Sequence, residues 1–244
     1  SFTGGTSTGR HLAHIAAEKL ITTSLELGGK SPTIVLPDAD LEMAAKGIAY
    51  GIFSSAGQAC IAGSRLFIHA SIYEKFLARL VEITQGLRVG HPEAPHVHMG
   101  SLINEKHLAS VHRYVELAKA EGGTVVIGGE AITEGECAKG SFYKPTIITG
   151  LDNRAQTCQE EIFGPVLVVM SYENEQDLLQ QANDSCFGLA AGIWTENYRK
   201  AWQIARALEV GTVWINTYKK FSISAPFGGF KDSGKKKKKG RLGI

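Results

Sequence analysis

The stretch Leu25-Glu26-Leu27-Gly28-Gly29-Lys30-Ser31-Pro32-Thr33-Ile34-Val35-Leu36 decides how this 244-residue chain is organised. Two short apolar runs, residues 22–25 and 33–36, flank Gly28-Gly29-Lys30-Ser31-Pro32, which has the glycine and proline punctuation of a turn. The runs read as two strands around that turn. Glu26 stands at the end of the first strand, just before the double glycine. Beyond the second strand, Asp38-Ala39-Asp40 offers a side-chain cap to a helix whose apolar stripe is Leu41, Ala44, Ala45, Ile48, Ala49, Ile52 and Phe53. That helix is expected to stop near Gly57. Upstream, Gly4-Gly5 opens into a helix from Thr6, with Leu12, Ile15, Ala16 and Leu20 at helical spacing. The first N–H groups of such a helix have no partner within it and point back at the turn.

The same alternation continues downstream. Strands are expected at residues 65–69, 125–127, 146–148, 166–170, 190–194 and 212–215, and helices at 72–84, 104–120, 175–183 and 198–208. Strands alternating with helices predict an α/β fold with a mostly parallel sheet flanked by helices on both faces. At 43% hydrophobic residues the chain has enough apolar side chains for one large core or two modest ones, so disorder is not the default. No run approaches about eighteen apolar residues, and Ser1-Phe2-Thr3-Gly4-Gly5 lacks the basic and apolar regions of a secretion signal. Neither a membrane span nor export is therefore expected. Cys60, Cys137, Cys158 and Cys186 form no CxxC pair, which argues against a zinc ribbon or disulfide scaffold and for a reducing, cytoplasmic setting. His91, His96 and His98 share a proline-rich loop that lacks further ligands, so no metal site is expected. The formal charge of +2 includes five consecutive lysines, Lys235 to Lys239, without which the body would stand at about −3. By charge, nucleic acid is not a partner.

Chemistry concentrates in two segments. Gly57-Gln58-Ala59-Cys60 places a thiol where an apolar helix gives way to a glycine-containing turn. Backbone N–H groups at such a junction are expected to lower the thiol pKa and to bind an oxyanion formed on its substrate. An isolated cysteine is more often a small buried hydrophobe, and a lone carboxylate such as Glu26 is more often solvated or paired, here with Lys30. The two segments together change that balance.

Glu-Leu-Gly-Gly-Lys-Ser-Pro at residues 26–32, followed at this distance by Gly-Gln-Ala-Cys, resembles the paired signature of the aldehyde dehydrogenase superfamily. The resemblance implies that Cys60 is the nucleophile and Glu26 the general base. Phe2-Thr3-Gly4-Gly5-Thr6-Ser7-Thr8-Gly9 is similar to the family's glycine loop beside the nicotinamide and pyrophosphate, with Gly5 where many members have serine. Glu160-Glu161-Ile162-Phe163-Gly164-Pro165-Val166 is similar to the segment whose second glutamate holds the nicotinamide ribose. The resemblance thus assigns Gly4, Gly5, Gly9, Leu27, Glu161 and Phe163 to cofactor binding, with NAD or NADP as cofactor and an aldehyde as substrate. Ala225-Pro226-Phe227-Gly228-Gly229-Phe230-Lys231-Asp232-Ser233-Gly234 resembles the stretch that closes the catalytic domain after a substrate-contacting loop, here residues 216–224.

By the same resemblance, residues 1–28 are a remnant of a Rossmann-like cofactor domain, 29–232 the catalytic domain, and 233–244 a segment returning toward the cofactor domain. Most of the dinucleotide-binding fold, an asparagine of the oxyanion hole and a C-terminal arm used in homo-oligomers are then missing, so the chain alone is expected to bind the cofactor weakly and to be inactive. After Ser233-Gly234, Lys236, Lys237 and Lys238 occupy the family's Gly, Arg and Glu positions before Gly240; Lys238 inverts a charge that normally belongs to a network behind the general base. A coenzyme A-acylating member and a non-catalytic fragment or structural protein are the alternatives. Glu26 argues against the first, since acylating members generally lack that residue.

Overall fold

The computed structural model describes residues 1–238. Lys239 and Gly240, the end of the lysine run and the glycine after it, lie outside the described residues, as does the remainder of the segment expected to return toward the cofactor domain. In chain order the elements are β1 (Phe2–Thr3), α1 (Thr6–Glu18), β2 (Leu25–Glu26), β3 (Pro32–Val35), α2 (Leu41–Phe53), β4 (Arg65–His69), α3 (Tyr73–Gln85), α4 (Glu105–Ala120) and β5 (Thr124–Ile127). They continue as β6 (Thr146–Thr149), α5 (Gln156–Gln159), β7 (Val166–Tyr172), α6 (Glu175–Asn183), β8 (Phe187–Gly188), β9 (Ala190–Trp194), α7 (Tyr198–Ala207), β10 (Thr212–Ile215), β11 (Phe230–Lys231) and β12 (Gly234–Lys235).

Seven strands form the main sheet in the order β10-β9-β3-β4-β7-β6-β5. All neighbours are parallel except β5, which runs antiparallel to β6. Every residue of β3 and β9 is buried, as are the first four of β4 and the first five of β7, so both faces of the centre are covered. Right-handed crossovers account for the cover. The chain moves one way along the sheet from β3 to β4 through α2, and the opposite way from β7 to β9 and on to β10 through α6 and α7. Such moves place α2 on one face and α6 and α7 on the other. Asp40 caps α2 as expected, accepting from the Met43 N–H at 3.0 Å.

The two strands flanking Gly28-Gly29 do not share a sheet. β3 sits in the middle of the large sheet, whereas β2 is the centre of a second, three-stranded sheet, parallel to β1 and antiparallel to β12. The expected strand at 22–25 shrinks to Leu25–Glu26, because only those two residues find ladder partners, Phe2 and Thr3 on one side and Gly234 and Lys235 on the other. The helix from Thr6 also differs in extent and exposure. It stops at Glu18; Leu20 takes a left-handed φ of 54° and is 94% exposed, and Gly9 is the helix's buried residue, packed against Leu27.

Among the described residues, two cations are fully buried inside this fold. Arg65, first residue of β4, is wholly buried. Its guanidinium donates to the carbonyls of Lys30 at 2.9 Å, Gln181 at 3.1 Å and Ala182 at 2.9 Å, and to Asn153 Oδ1 at 2.8 Å. Lys30 is equally buried, yet its Nζ has no hydrogen-bond partner among the described residues. Burial lowers Arg65 to about 10 and Lys30 to about 8. The two therefore respond to removal in opposite ways. Arg65→Met leaves several buried carbonyls unsatisfied and should cost about 3 kcal/mol or more in urea unfolding. Lys30→Met removes an unpaired buried charge and should leave the urea midpoint unchanged or raise it. Between pH 8 and 10.5 the unfolded chain holds the Lys30 proton more tightly than the folded one, so Lys30 contributes a rise of stability with pH there. Lys30→Met should lose that contribution, so its stability should gain less with rising pH than that of the wild type.

Candidate active site

The segments that feed three adjacent strands converge at one edge of the main sheet: residues 28–31 before β3, 60–64 before β4 and 161–165 before β7. They converge because side chains are missing where they meet. A Cβ on Gly28 would stand 2.3 Å from Glu161 Oε2, and one on Gly29 would stand 2.3 Å from the Cys60 carbonyl oxygen. The Gly29 N–H donates to Glu161 Oε1 at 3.0 Å. Ser233 holds the double glycine from the far end of the chain: its hydroxyl donates to the Gly28 carbonyl at 2.6 Å and its own carbonyl accepts from Leu27 N–H at 2.9 Å.

The thiol segment is bent by Ser55, Ala56 and Gly57, all left-handed, with φ of 57°, 52° and 70°. Left-handed Ser and Ala store backbone strain of the kind that clusters at functional sites. Gly57 runs against the Gly164 carbonyl, which a Cβ would approach to 2.0 Å. Gln58 braces the bend from within, its Oε1 accepting from the Ile103 N–H at 2.9 Å.

A cleft of about 550 Å³ opens between these segments, lined by Thr3, Gly4, Gly5, Glu26, Leu27, Gly28, Gln58, Ala59, Cys60, Glu161 and Phe163. The structure thus brings Cys60 and Glu26 together with Gly4, Gly5, Leu27, Glu161 and Phe163. Gly9 is not among the lining; its place is against the Leu27 side chain, where a Cβ would meet Cδ2 at 2.4 Å. Gly5, at the N-terminus of α1, has open space where a Cβ would be and no side-chain cap closing the helix end.

Burial governs the electrostatics. Glu26 is 6% exposed, and neither carboxylate oxygen has a hydrogen-bond partner among the described residues. The alternative of a solvated or Lys30-paired carboxylate is thereby excluded. Burial raises the Glu26 pKa, and the ammonium groups of Lys238 and Lys237 pull it back down. Thr3 faces Glu26 across the β1–β2 ladder, and Lys238 Nζ lies 3.4 Å from Thr3 Oγ1. The lysine run therefore places positive charge beside this carboxylate.

The expectation of a lowered thiol pKa is overturned. The N–H groups of Cys60 and Ile61 do stabilise a thiolate, but burial and the carboxylates of Glu161 and Glu26 outweigh them and push the Cys60 pKa up. Phe163 forms a wall of the cleft, 40% exposed and left-handed at φ 56°. His107 of α4 holds that strained peptide, with Nε2 2.7 Å from the Phe163 carbonyl oxygen.

The model of the aldehyde dehydrogenase family matches residues 1–244. The chain belongs to that family. An aldehyde dehydrogenase from Bacillus cereus, solved as its NAD+ complex, is similar at 43% identity with a TM-score of 0.95 over 99% of this chain. A betaine aldehyde dehydrogenase from Staphylococcus aureus, also solved with NAD+, is similar at 39% identity and a TM-score of 0.97. The chain spans 48% of the length of each of these two relatives. Among the described residues no group of three or more His, Cys, Asp or Glu could hold a metal, and no helix is long and apolar enough to cross a membrane. In the proline-rich loop, His98 Nδ1 accepts from the Arg88 N–H and His91 packs on Phe142.

Sequence reading missed the parts played by Gln58, His107 and Thr3, whose functions depend on partners remote in the chain. If carboxylates hold the thiol pKa up, Glu161→Gln should speed iodoacetamide alkylation of Cys60 at neutral pH by about three-fold or more. Peptide mass spectrometry would measure this, and an unchanged rate would show that Glu161 does not control the thiol.

Proposed function

We propose that this chain carries the catalytic part of an enzyme that oxidises an aldehyde to a carboxylate with NAD or NADP, through a thiohemiacetal and then a thioester on Cys60. The carrying observation is the shared cleft, which is lined by Cys60, by Glu26 with its buried and unpartnered carboxylate, and by the uncapped N-terminus of α1.

The N-terminus of α1 at Gly4-Gly5 suits a phosphate, since its free N–H groups and the helix dipole favour an anion and no acidic residue occupies the first turn. Glu161 and Phe163 suit the nicotinamide end of the same ligand. When bound, the nicotinamide supplies the acceptor for the hydride that leaves the thiohemiacetal carbon.

The chain's own residues perform the remaining steps. Cys60 sulfur bonds to the aldehyde carbon, and the N–H groups of Cys60 and Ile61 lie where they favour negative charge at the sulfur end of the cleft. Glu26 then takes a proton from the water that attacks the thioester, releasing the carboxylate and restoring the thiol. A carboxylate whose pKa is raised by burial is a stronger base than a solvated one, and its oxygens have no competing partner among the described residues. Glu26 in the cleft favours hydrolysis over acyl transfer to coenzyme A.

An activated ester such as p-nitrophenyl acetate tests the thiol and the base without a cofactor. Cys60→Ser should abolish its turnover. Glu26→Gln should slow turnover by about 10²-fold, the scale of a lost general base, while an acetylated chain accumulates in intact-mass spectra. Turnover by Glu26→Gln at the wild-type rate would remove Glu26 from the mechanism. The pH profile carries a signed expectation. Lys238 lowers the Glu26 pKa, so Lys238→Met should raise it and move the acid limb of ester hydrolysis to higher pH.

A further inference from the structure

Lys219 is a half-buried cation that the proposed chemistry does not use. It sits in residues 216–224, the loop that follows β10 and doubles back onto the segment carrying the thiol. The Tyr218 hydroxyl donates to the Ile61 carbonyl at 2.9 Å, and the Trp214 indole N–H donates to the Lys220 carbonyl at 2.7 Å. Between those two anchors Lys219 adopts a left-handed φ of 57°. Its Nζ donates to Ser54 Oγ at 2.7 Å and lies 5.8 Å from the centre of the Tyr50 ring. Ser54 and Tyr50 belong to the end of α2 and the bend after it, which lead directly to Cys60. No residue of the loop lines the cleft that Glu26 and Phe163 share. The ammonium therefore reaches the Cys60 segment from outside that cleft.

No described carboxylate forms an ion pair with this ammonium; its direct partners are a hydroxyl and an aromatic face. Burying a cation on such terms is costly unless an anion joins it. The carboxylates facing the thiol are Glu26 and Glu161, both of which line the cleft, while Lys219 comes from the loop.

We propose that Lys219 is a specificity-determining residue that receives the carboxylate of an aldehyde substrate, so that the preferred substrates are aldehydes carrying a carboxylate and not neutral or quaternary-ammonium aldehydes. A single ammonium beside a single hydroxyl matches one carboxylate, with Ser54 as the second donor. The proposal rests on the aldehyde dehydrogenase reading of the Cys60 cleft.

Charged thiol reagents test it apart from catalysis. Methanethiosulfonates react when the thiolate attacks the sulfenyl sulfur, forming a disulfide as methanesulfinate leaves. The ethylsulfonate reagent is anionic, the ethyltrimethylammonium reagent cationic and the methyl reagent neutral. The ratio of anionic to cationic rates at Cys60, followed by peptide mass spectrometry on the 244-residue chain, cancels the thiolate fraction. Lys219→Met should lower that ratio by about ten-fold at low ionic strength, and Lys219→Arg should preserve it. Burial lowers the Lys219 pKa to about 8, so the wild-type ratio should fall as pH rises from 7 to 9, whereas the Lys219→Arg ratio should hold. An unchanged ratio in Lys219→Met, with the neutral reagent still modifying Cys60, overturns the inference and leaves the thiol reading intact. A Cys60 inert to the neutral reagent at a pH where exposed Cys186 reacts overturns the proposed function, and this inference with it.

Discussion

Everything in the cleft depends on one close approach, that of the Gly28-Gly29 backbone to the Cys60 peptide and the Glu161 carboxylate. A methyl group at Gly29 would overlap the Cys60 carbonyl, and one at Gly28 would displace Glu161. The contact joins more than two loops. Gly28 also marks the point where the chain leaves the three-stranded sheet for the seven-stranded one, so Glu26 of one sheet and the Cys60 segment that leads into the other line one cleft. Ser233 seals the junction from a third direction with a hydroxyl that is wholly buried. The rigidity of the site follows from backbone packed on backbone, which has no rotamers to lose.

Charge around this junction is arranged in opposition. Glu26 and Glu161 discourage the thiolate, while Lys237 and Lys238 encourage the Glu26 carboxylate. Beneath them the core holds Lys30 and Arg65 close together, next to Cys158, whose thiol burial pushes up to about 11. Arg65 tolerates this place because carbonyls surround its guanidinium. Lys30 has no such shell among the described residues, so its charge weighs on the fold.

The order of strands and helices was legible in the chain because the alternation of apolar runs is strong and four of the described helices begin with a capping side chain, at Asp40, Asn104, Asn174 and Asn197. What local pattern could not reveal was the partner of each run. Residues 22–25 and 33–36 read as strands around one turn, yet the pairing of the first depends on Phe2, Thr3, Gly234 and Lys235, two segments at opposite ends of the chain. Gly9 looked like part of a phosphate loop, but its missing side chain serves the packing of Leu27. The direction of the Cys60 shift escaped for a similar reason. The favourable N–H groups are local and visible in the spacing, whereas Glu161 arrives from a distant segment and desolvation is a property of the whole fold.

In open α/β sheets ligands usually settle beyond the carboxyl ends of the parallel strands. Here the share of the cleft lining that belongs to the seven-stranded sheet comes from segments that enter β3, β4 and β7, at the amino ends. The strands leave the sheet at Val35, His69 and Tyr172, and no residue next to those exits lines the cleft. The length of β7, seven residues or roughly 20 Å, separates the two edges. An exposed position on the exit side, such as Glu173, can therefore carry a fluorophore or an inserted peptide tag that reports on the integrity of the core while remaining a full strand away from the thiol.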